Sequence, residues 1–395
     1  MYTVISVEGG VCAPDGFFAD GIACGLKPDD QKDLAFIYSD TLCDIRAVFT
    51  TNRFQAAPIL HFKKEGIEQT NFVLINAKNA NAMTGSAGVE DVELVLEHAK
   101  ALLKKPIHPV MSSTGVIGVP LPKEKIMRGL ERFDLSRKDP MAAARAIMTT
   151  DSYEKSVAFE VRLENGDSFR IGAMAKGAGM INPAMATMLC FITTDAALPA
   201  DEMPALLRAS VATTFNAISV DGDTSTNDTV MLLSNGKSGV YDREAFLFAL
   251  EKAMHELALK IVSDGEGATK CVAFKITGAA NREEAAVAAK ALTNSLLVKT
   301  ALFGEDPNWG RIASTIGASG VKCAPEKLTI TFGNVTVYER GAILFDSETE
   351  EKAARIMRKK AFAIHCDLGM GPGAFTAYGC DLGHEYVKIN ADYRT

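Results

Sequence analysis

The sequence predicts a layered α/β sandwich with mixed sheets. Three observations carry that prediction. Amphipathic helical stretches alternate with short β-rich runs along the whole of the 395 residues. One pair of runs is joined by Glu164-Asn165-Gly166-Asp167, whose Asn-Gly centre suits an antiparallel hairpin. Other runs are separated by helices, the connection that parallel strands require. Hairpins and crossovers together argue against a purely doubly wound fold.

Phe72-Ile75 is the first clear strand-like run, and Val89 to Lys105 follows as a helix. Its residues Val92, Leu96, Ala99 and Leu103 recur at helical spacing, and Pro106 stops it. Val157-Leu163 and Ser168-Ala173 are the strands of the hairpin, and Thr187 to Thr194 is a further strand. Ser234-Asn235-Gly236-Lys237 has the composition of a second hairpin turn. Asp242 to Val262 places Phe246, Leu250, Met254, Leu257 and Ile261 on one helical face. Helices over Arg282–Val298 and Ser347–Lys360, and strands over Lys327–Phe332 and Tyr386–Ile389, complete the reading. No internal repeat, low-complexity segment or linker interrupts the chain.

Composition mainly excludes. An apolar fraction of 47% with 23% charged residues is that of an ordinary folded protein. The net charge of -7 argues against nucleic acid, whose phosphates demand clustered Lys and Arg. The first eight residues have no basic stretch and reach Glu8 early, so no signal peptide is expected. No apolar run approaches the ~20 residues that span a bilayer. The eight cysteines are scattered without a Cys-x-x-Cys pair and read as reduced thiols. A cytoplasmic address, with no membrane partner, is the expectation.

Familiar catalytic signatures fail one by one. Met231 stands where the first glycine of a phosphate-binding loop ending in Gly236-Lys237-Ser238 belongs. Gly177-Ala178-Gly179-Met180-Ile181-Asn182 lacks the third glycine of a dinucleotide fingerprint and runs into Pro183. Asp221-Gly222-Asp223-Thr224-Ser225-Thr226-Asn227 opens like a calcium loop, but Thr226 replaces its glycine and Leu232 its bidentate glutamate. Neither His255-Glu256 nor His384-Glu385 has a second histidine at zincin spacing. No Gly-x-Ser-x-Gly elbow occurs. No metal site is expected.

One stretch remains, Lys176 to Asp195. Glycines and Pro183 build an irregular loop of small residues, and a strand begins at Thr187 directly after Ala186. A glycine-rich loop feeding a core strand is the plain reading. The chemical reading is a strained junction at which the Thr187 hydroxyl attacks the preceding carbonyl. An N-to-O acyl shift and hydrolysis would then free the threonine α-amine. With a pKa of ~7.7–8.0, that amine supplies the base that an isolated threonine lacks.

An ordered set of short motifs accompanies this loop. Gly9-Gly10-Val11, Lys32-Asp33-Leu34-Ala35, Ser112-Ser113-Thr114-Gly115-Val116-Ile117-Gly118 and Met148-Thr149-Thr150-Asp151 precede it. Asp221 to Asp228, Asp264-Gly265-Glu266-Gly267-Ala268-Thr269-Lys270, Gly304 to Arg311 and Asn390 to Thr395 follow it. In these segments the chain resembles, over essentially its whole length, the bacterial ornithine acetyltransferases, or glutamate N-acetyltransferases, the self-cleaving threonine enzymes of arginine biosynthesis.

The resemblance implies ping-pong acetyl transfer from N-acetylornithine to glutamate, on a fold related to self-processing aminopeptidases. It implies cleavage between Ala186 and Thr187, giving an α chain of residues 1–186 and a β chain of residues 187–395, assembled as two α and two β. Thr187 would carry the acetyl group, and Thr114 and Gly115 would form the oxyanion hole. Thr150, Lys176, Thr187, Glu266, Asn390 and Thr395 would bind substrate. Charge complementarity suits this set: Lys176 matches the α-carboxylate shared by both substrates, and Glu266 the side-chain ammonium of ornithine. No cofactor is expected, and acetyl-CoA as a second donor stays open. The alternatives are an amidohydrolase or aminopeptidase on the same scaffold, and an uncleaved binding protein.

Overall fold

The computed structural model describes residues 1–182 and 188–392. The strands, in chain order, are β1 (Tyr2–Ser6), β2 (Phe17–Ile22), β3 (Leu34–Phe49), β4 (Gln69–Asn76), β5 (Val110–Ser113), β6 (Lys155–Leu163), β7 (Ser168–Lys176), β8 (Leu189–Thr194) and β9 (Ile218–Ser219). They continue as β10 (Thr229–Ser234), β11 (Cys271–Ala279), β12 (Thr329–Phe332), β13 (Val335–Glu339), β14 (Ala342–Ile343), β15 (Ala361–Asp367) and β16 (Gly373–Cys380). Among the described residues they form two mixed sheets. The first runs β1-β6-β7-β8-β10-β3-β4-β5, with β2 also on β3, and the second runs β14-β13-β12-β15-β11-β16-β9.

The α/β sandwich with mixed sheets is therefore what the chain forms. β6 and β7 make the expected hairpin, with Gly166 in the left-handed region at φ 89°. β8 lies antiparallel to β7 and parallel to β10, and all six of its residues are buried. Continuous burial explains its unbroken apolar and threonine run. The helix Arg243–Ser263 packs on β6 and β7 and also touches β11 and β16 of the second sheet. Phe246, Leu250, Met254, Leu257 and Ile261 are fully buried on it, as their spacing predicts. Each contributes ~1.5–3 kcal/mol on area grounds. Asp242 caps its start, accepting from the Ala245 amide at 2.8 Å.

Three local expectations fail. Arg282–Val298 is not one helix: it divides into Arg282–Asn294 and Leu296–Phe303. Ser295 is extended between them, and its hydroxyl caps the second helix through the Val298 amide. Tyr386–Ile389 is not a strand but part of the helix His384–Asp392. Its Tyr-Val-Ile content favours β structure, whereas packing beside Glu266, to which Asn390 donates at 2.7 Å, favours the helix. Ser234–Lys237 turns the chain from β10 toward the helix Arg243–Ser263, and no strand returns on β10 from it. No single helix among the described residues is long and apolar enough to cross a membrane. The bent pair Arg282–Asn294 and Leu296–Phe303 passes that test of length and composition, but Ala285, Ala289, Leu292 and Leu302 are buried in the second core.

Candidate active site

The first sheet delivers several segments to one cavity of about 160 Å³. Thr114 and Gly115 arrive from the end of β5, Lys176 from the end of β7, and Met188 and Leu189 from the start of β8. Asp221 to Asp228 leads into β10, while Glu266 lies just beyond the helix Arg243–Ser263. Tyr386 and Asn390 project from the helix His384–Asp392.

Gly115 has no alternative at its position. Its φ is 130°, and a Cβ there would meet the Lys78 carbonyl carbon at 2.2 Å and the Asn79 nitrogen at 2.6 Å. The Thr114 amide donates to the Asn76 carbonyl at 3.0 Å, and that of Val116 to the Lys78 carbonyl at 3.1 Å. Between them, the Gly115 N–H donates to no carbonyl among the described residues. Asn227 anchors this loop from the other side, donating to the Ala80 and Ser113 carbonyls at 2.6 and 2.8 Å. A fixed loop presenting a free amide is what an oxyanion hole requires.

Beneath the cavity lies a buried ion network. Asp151 accepts from the Lys155 ammonium at 2.7 Å and from the Gly177 and Thr149 amides at 2.7 and 3.0 Å. Lys176 stands 3.9 Å from Asp151 and donates to the Thr149 hydroxyl at 2.7 Å. Burial alone would push the Asp151 carboxyl up, but Lys176 and Lys155 hold it at about 2. Burial pushes the Lys176 ammonium down, and Asp151 opposes that shift. Lys155 also reaches Asp264 at 2.6 Å, which ties the network to the Glu266 loop.

Glu266 is held in place by its neighbours. Its carboxylate accepts from the Asn390 amide group at 2.7 Å, and its own N–H donates to the Ala178 carbonyl at 2.9 Å. A Cβ on Gly179 would fall 2.4 Å from that carboxylate, so glycine makes room for it. Asp221 accepts from the Met180 and Ile181 amides at 2.6 and 2.8 Å and fixes the chain just before Pro183. Burial raises its carboxyl despite those bonds.

Thr114, Gly115, Thr150, Lys176, Glu266 and Asn390 therefore meet in one cavity. Ala186, Thr187 and Thr395 lie outside the described residues. Met188, which is bonded to Thr187, lines the cavity. Sequence reasoning missed Thr149, Asp151, Asp221, Asn227 and Tyr386. Thr149 and Asp151 sat within a motif it quoted, and Asp221 in the loop it rejected for calcium. That loop's Asp221 carboxylate captures the Met180 and Ile181 backbone amides.

A deep cation, facing carboxylates and a free backbone amide, on an α/β sandwich, make a site suited to a small charged molecule. The chain belongs to the ArgJ family, whose model matches residues 18–395. It is 64% identical over 396 residues to the arginine biosynthesis bifunctional protein ArgJ of Wolinella succinogenes, covering 100% of both chains. It is 42% identical to the protein of that name from Caldanaerobacter subterraneus subsp. tengcongensis, covering 98% of this chain and 99% of the relative. A crystal structure of arginine biosynthesis bifunctional protein ArgJ from Bacillus halodurans aligns with 40% identity and a TM-score of 0.50. The alignment covers 52% of this chain and 100% of that one.

Proposed function

We propose that the chain cuts itself between Ala186 and Thr187, then carries acetyl groups on the Thr187 hydroxyl from N-acetylornithine to glutamate. Acetyl transfer in arginine biosynthesis is the activity of its family, and the chain is an acyltransferase of that class. The observation that carries the mechanism is the cavity itself. Lys176, Glu266 and the free Gly115 amide converge where Met188 brings in the chain from Thr187.

The steps follow from those groups. The α-amine of Thr187 takes the hydroxyl proton as the oxygen attacks the acetyl carbonyl of N-acetylornithine. The Gly115 N–H, with Thr114 beside it, meets the oxyanion. The C–N bond breaks, the ornithine amine leaves with the proton, and the acetyl ester remains on Thr187. The glutamate amine then attacks that ester by the reverse sequence. Lys176 holds the α-carboxylate common to both substrates, with Thr150 and Asn390 as hydrogen-bond partners. Glu266 receives the ornithine side-chain ammonium, and Thr395 contributes to substrate binding. No cofactor is needed, and acetyl-CoA serves as a second donor to glutamate.

Two features support cleavage. Asn182 and Ile181 are pinned to the Ser219–Thr224 segment by the Asn182 side chain on the Gly222 carbonyl and the Ser219 hydroxyl on the Ile181 carbonyl. Leu189 is held in the sheet between β7 and β10, so the described residues on both sides of the proposed cut are fixed. The Bacillus halodurans chain is also matched in full by only 52% of this one, close to the share formed by residues 187–395. The assembly we propose is two α and two β chains in the cytoplasm. The test is intact mass and N-terminal sequencing of wild type and Thr187→Ala. Wild type gives two fragments, the second beginning at Thr187, and the variant stays whole; an uncut wild type overturns the mechanism.

A further inference from the structure

Met180 to Asn182, the last residues before Pro183, are held by groups that lie downstream of the proposed cut. Asp221 accepts from the Met180 and Ile181 amides at 2.6 and 2.8 Å. The Ile181 carbonyl accepts from the Val220 amide at 2.6 Å and from the Ser219 hydroxyl at 3.0 Å. The Asn182 carbonyl accepts from the Thr224 hydroxyl at 3.0 Å, and the Asn182 side-chain amide donates to the Gly222 carbonyl at 2.9 Å. Ile181 and Thr224 form an isolated antiparallel bridge. Asn294 completes the grip, donating to the Asn182 side-chain oxygen at 3.4 Å.

These groups come from both sheets. Asp221 to Thr224 precede β10 of the first sheet. Ser219 belongs to β9, which pairs with β16 in the second sheet. Asn294 ends the helix Arg282–Asn294, which packs on β11 and β16. Lys290 of that helix donates to the Ile218 carbonyl at 2.6 Å and so ties the helix to β9 beside Ser219. On the far side of the cut, the Thr229 amide donates to the Met188 carbonyl at 2.9 Å, and Leu189 enters the ladder with β7 and β10. Five residues, Pro183 to Thr187, join the two held ends. Loosening one end lengthens that connection, and the Thr187 hydroxyl then meets the Ala186 carbonyl less often.

We propose that Ser219, Thr224 and Asn294 are positioning residues for self-cleavage, so that the cut waits on assembly of the second sheet. The inference rests on the reading of Ala186–Thr187 as the cleavage point. In the step they serve, the Thr187 oxygen bonds to the Ala186 carbonyl carbon, the C–N bond breaks and the nitrogen takes the hydroxyl proton. Water then hydrolyses the ester, leaving the Ala186 carboxylate and the Thr187 hydroxyl, and no redox change occurs. None of the three lines the catalytic cavity, so acetyl transfer by the cut enzyme should not depend on them.

The experiment synthesises the full chain in a cell-free system and follows loss of the uncut form on a denaturing gel. Wild type, Ser219→Ala, Thr224→Val, Thr224→Ser and Asn294→Ala are run in parallel, with thermal unfolding of each. Losing one hydrogen bond should slow the cut about 3- to 10-fold in Ser219→Ala, Thr224→Val and Asn294→Ala. Thr224→Ser keeps the hydroxyl and should cut within about twofold of wild type, a margin below the loss of one bond. Once cut, every variant should transfer acetyl from N-acetylornithine to glutamate within the same margin of about twofold. Cleavage at the wild-type rate in Ser219→Ala, Thr224→Val and Asn294→Ala overturns the positioning role. A Thr224→Ser as slow as Thr224→Val overturns it too, because shape or fold and not the hydroxyl would then set the rate. Wild type that stays uncut defeats the reading of the cleavage point itself, a result distinct from variants that cut as fast as wild type.

Discussion

Replacing Gly115 by alanine should disable the oxyanion hole while sparing substrate binding. The added Cβ would sit 2.2 Å from the Lys78 carbonyl carbon, 2.5 Å from its oxygen and 2.6 Å from the Asn79 nitrogen. All three are backbone atoms, so no side chain can swing aside. Carbon contacts are comfortable only from about 3.5 Å, and the loop must therefore move by more than about 1 Å. The φ of 130° adds strain of ~1–3 kcal/mol for a residue with a side chain. A shift of that size takes the N–H out of reach of the oxyanion, and losing one such donor costs ~100- to 1,000-fold in kcat. The assay is steady-state transfer from N-acetylornithine to glutamate, using protein shown by mass to be cleaved and by thermal unfolding to be folded. kcat and kcat/KM should fall together, with KM within about threefold, the signature of an interaction made only in the transition state. A cleaved, folded Gly115→Ala whose kcat stays within about threefold of wild type would refute the assignment, since no oxyanion donor is worth so little.

The remaining predictions concern the charges around the site. Asp151→Asn removes the carboxylate shared by Lys155 and Lys176, and should destabilise the protein by ~3–5 kcal/mol in denaturant unfolding. The Asp151 carboxyl, held at about 2, lies below its unfolded value of ~3.9. Its contribution of about 2–3 kcal/mol is therefore complete above pH ~4 and lost as pH falls toward ~2, a slope that Asp151→Asn should lack. Glu266→Gln should raise the N-acetylornithine KM at least about tenfold and the glutamate KM far less, because truncating a desolvated partner loses ~2–5 kcal/mol. Equal losses for both substrates would leave Glu266 a structural residue.

How much of this was legible depended on whether the signal was local. The helix Arg243–Ser263 and the hairpin of β6 and β7 declare themselves within ten residues, through period and turn chemistry. The break at Ser295 carries a local signal as well, a capping serine in a helical run, but the flanking alanines and leucines conceal it. Tyr386–Ile389 misleads because its β-branched and aromatic content outweighs a weak helical period, and only packing beside Glu266 decides it. Lys176 and Glu266 follow from the family resemblance, and the charges of the substrates suit them. Asp151 does not, because its role comes from Lys155 and Lys176 closing around it in three dimensions.

The arrangement also explains how one cavity serves two substrates with opposite side chains. N-acetylornithine and glutamate share an α-carboxylate, and the buried Lys176 beneath the cavity is the single lysine or arginine among its lining residues. Asp151 and Thr149 grip that lysine from below, so its position does not depend on which substrate is bound. The substrates differ at the far end, where the proposed role of Glu266 is to attract the ornithine ammonium and repel the glutamate side chain. A single-step transfer would need both molecules in this acidic space at once. An acetyl ester on Thr187 separates the two in time: ornithine departs before glutamate enters, and the acceptor side chain never has to share the cavity with the donor. Asn390 donates to the Glu266 carboxylate at 2.7 Å, and we propose that this bond holds the carboxylate away from the side chain of an incoming glutamate. Asn390→Ala should therefore slow deacetylation by glutamate more than acetylation by N-acetylornithine. Rapid-quench measurement of the two half-reactions separates them, and equal slowing of both would show that Asn390 merely supports the cavity wall.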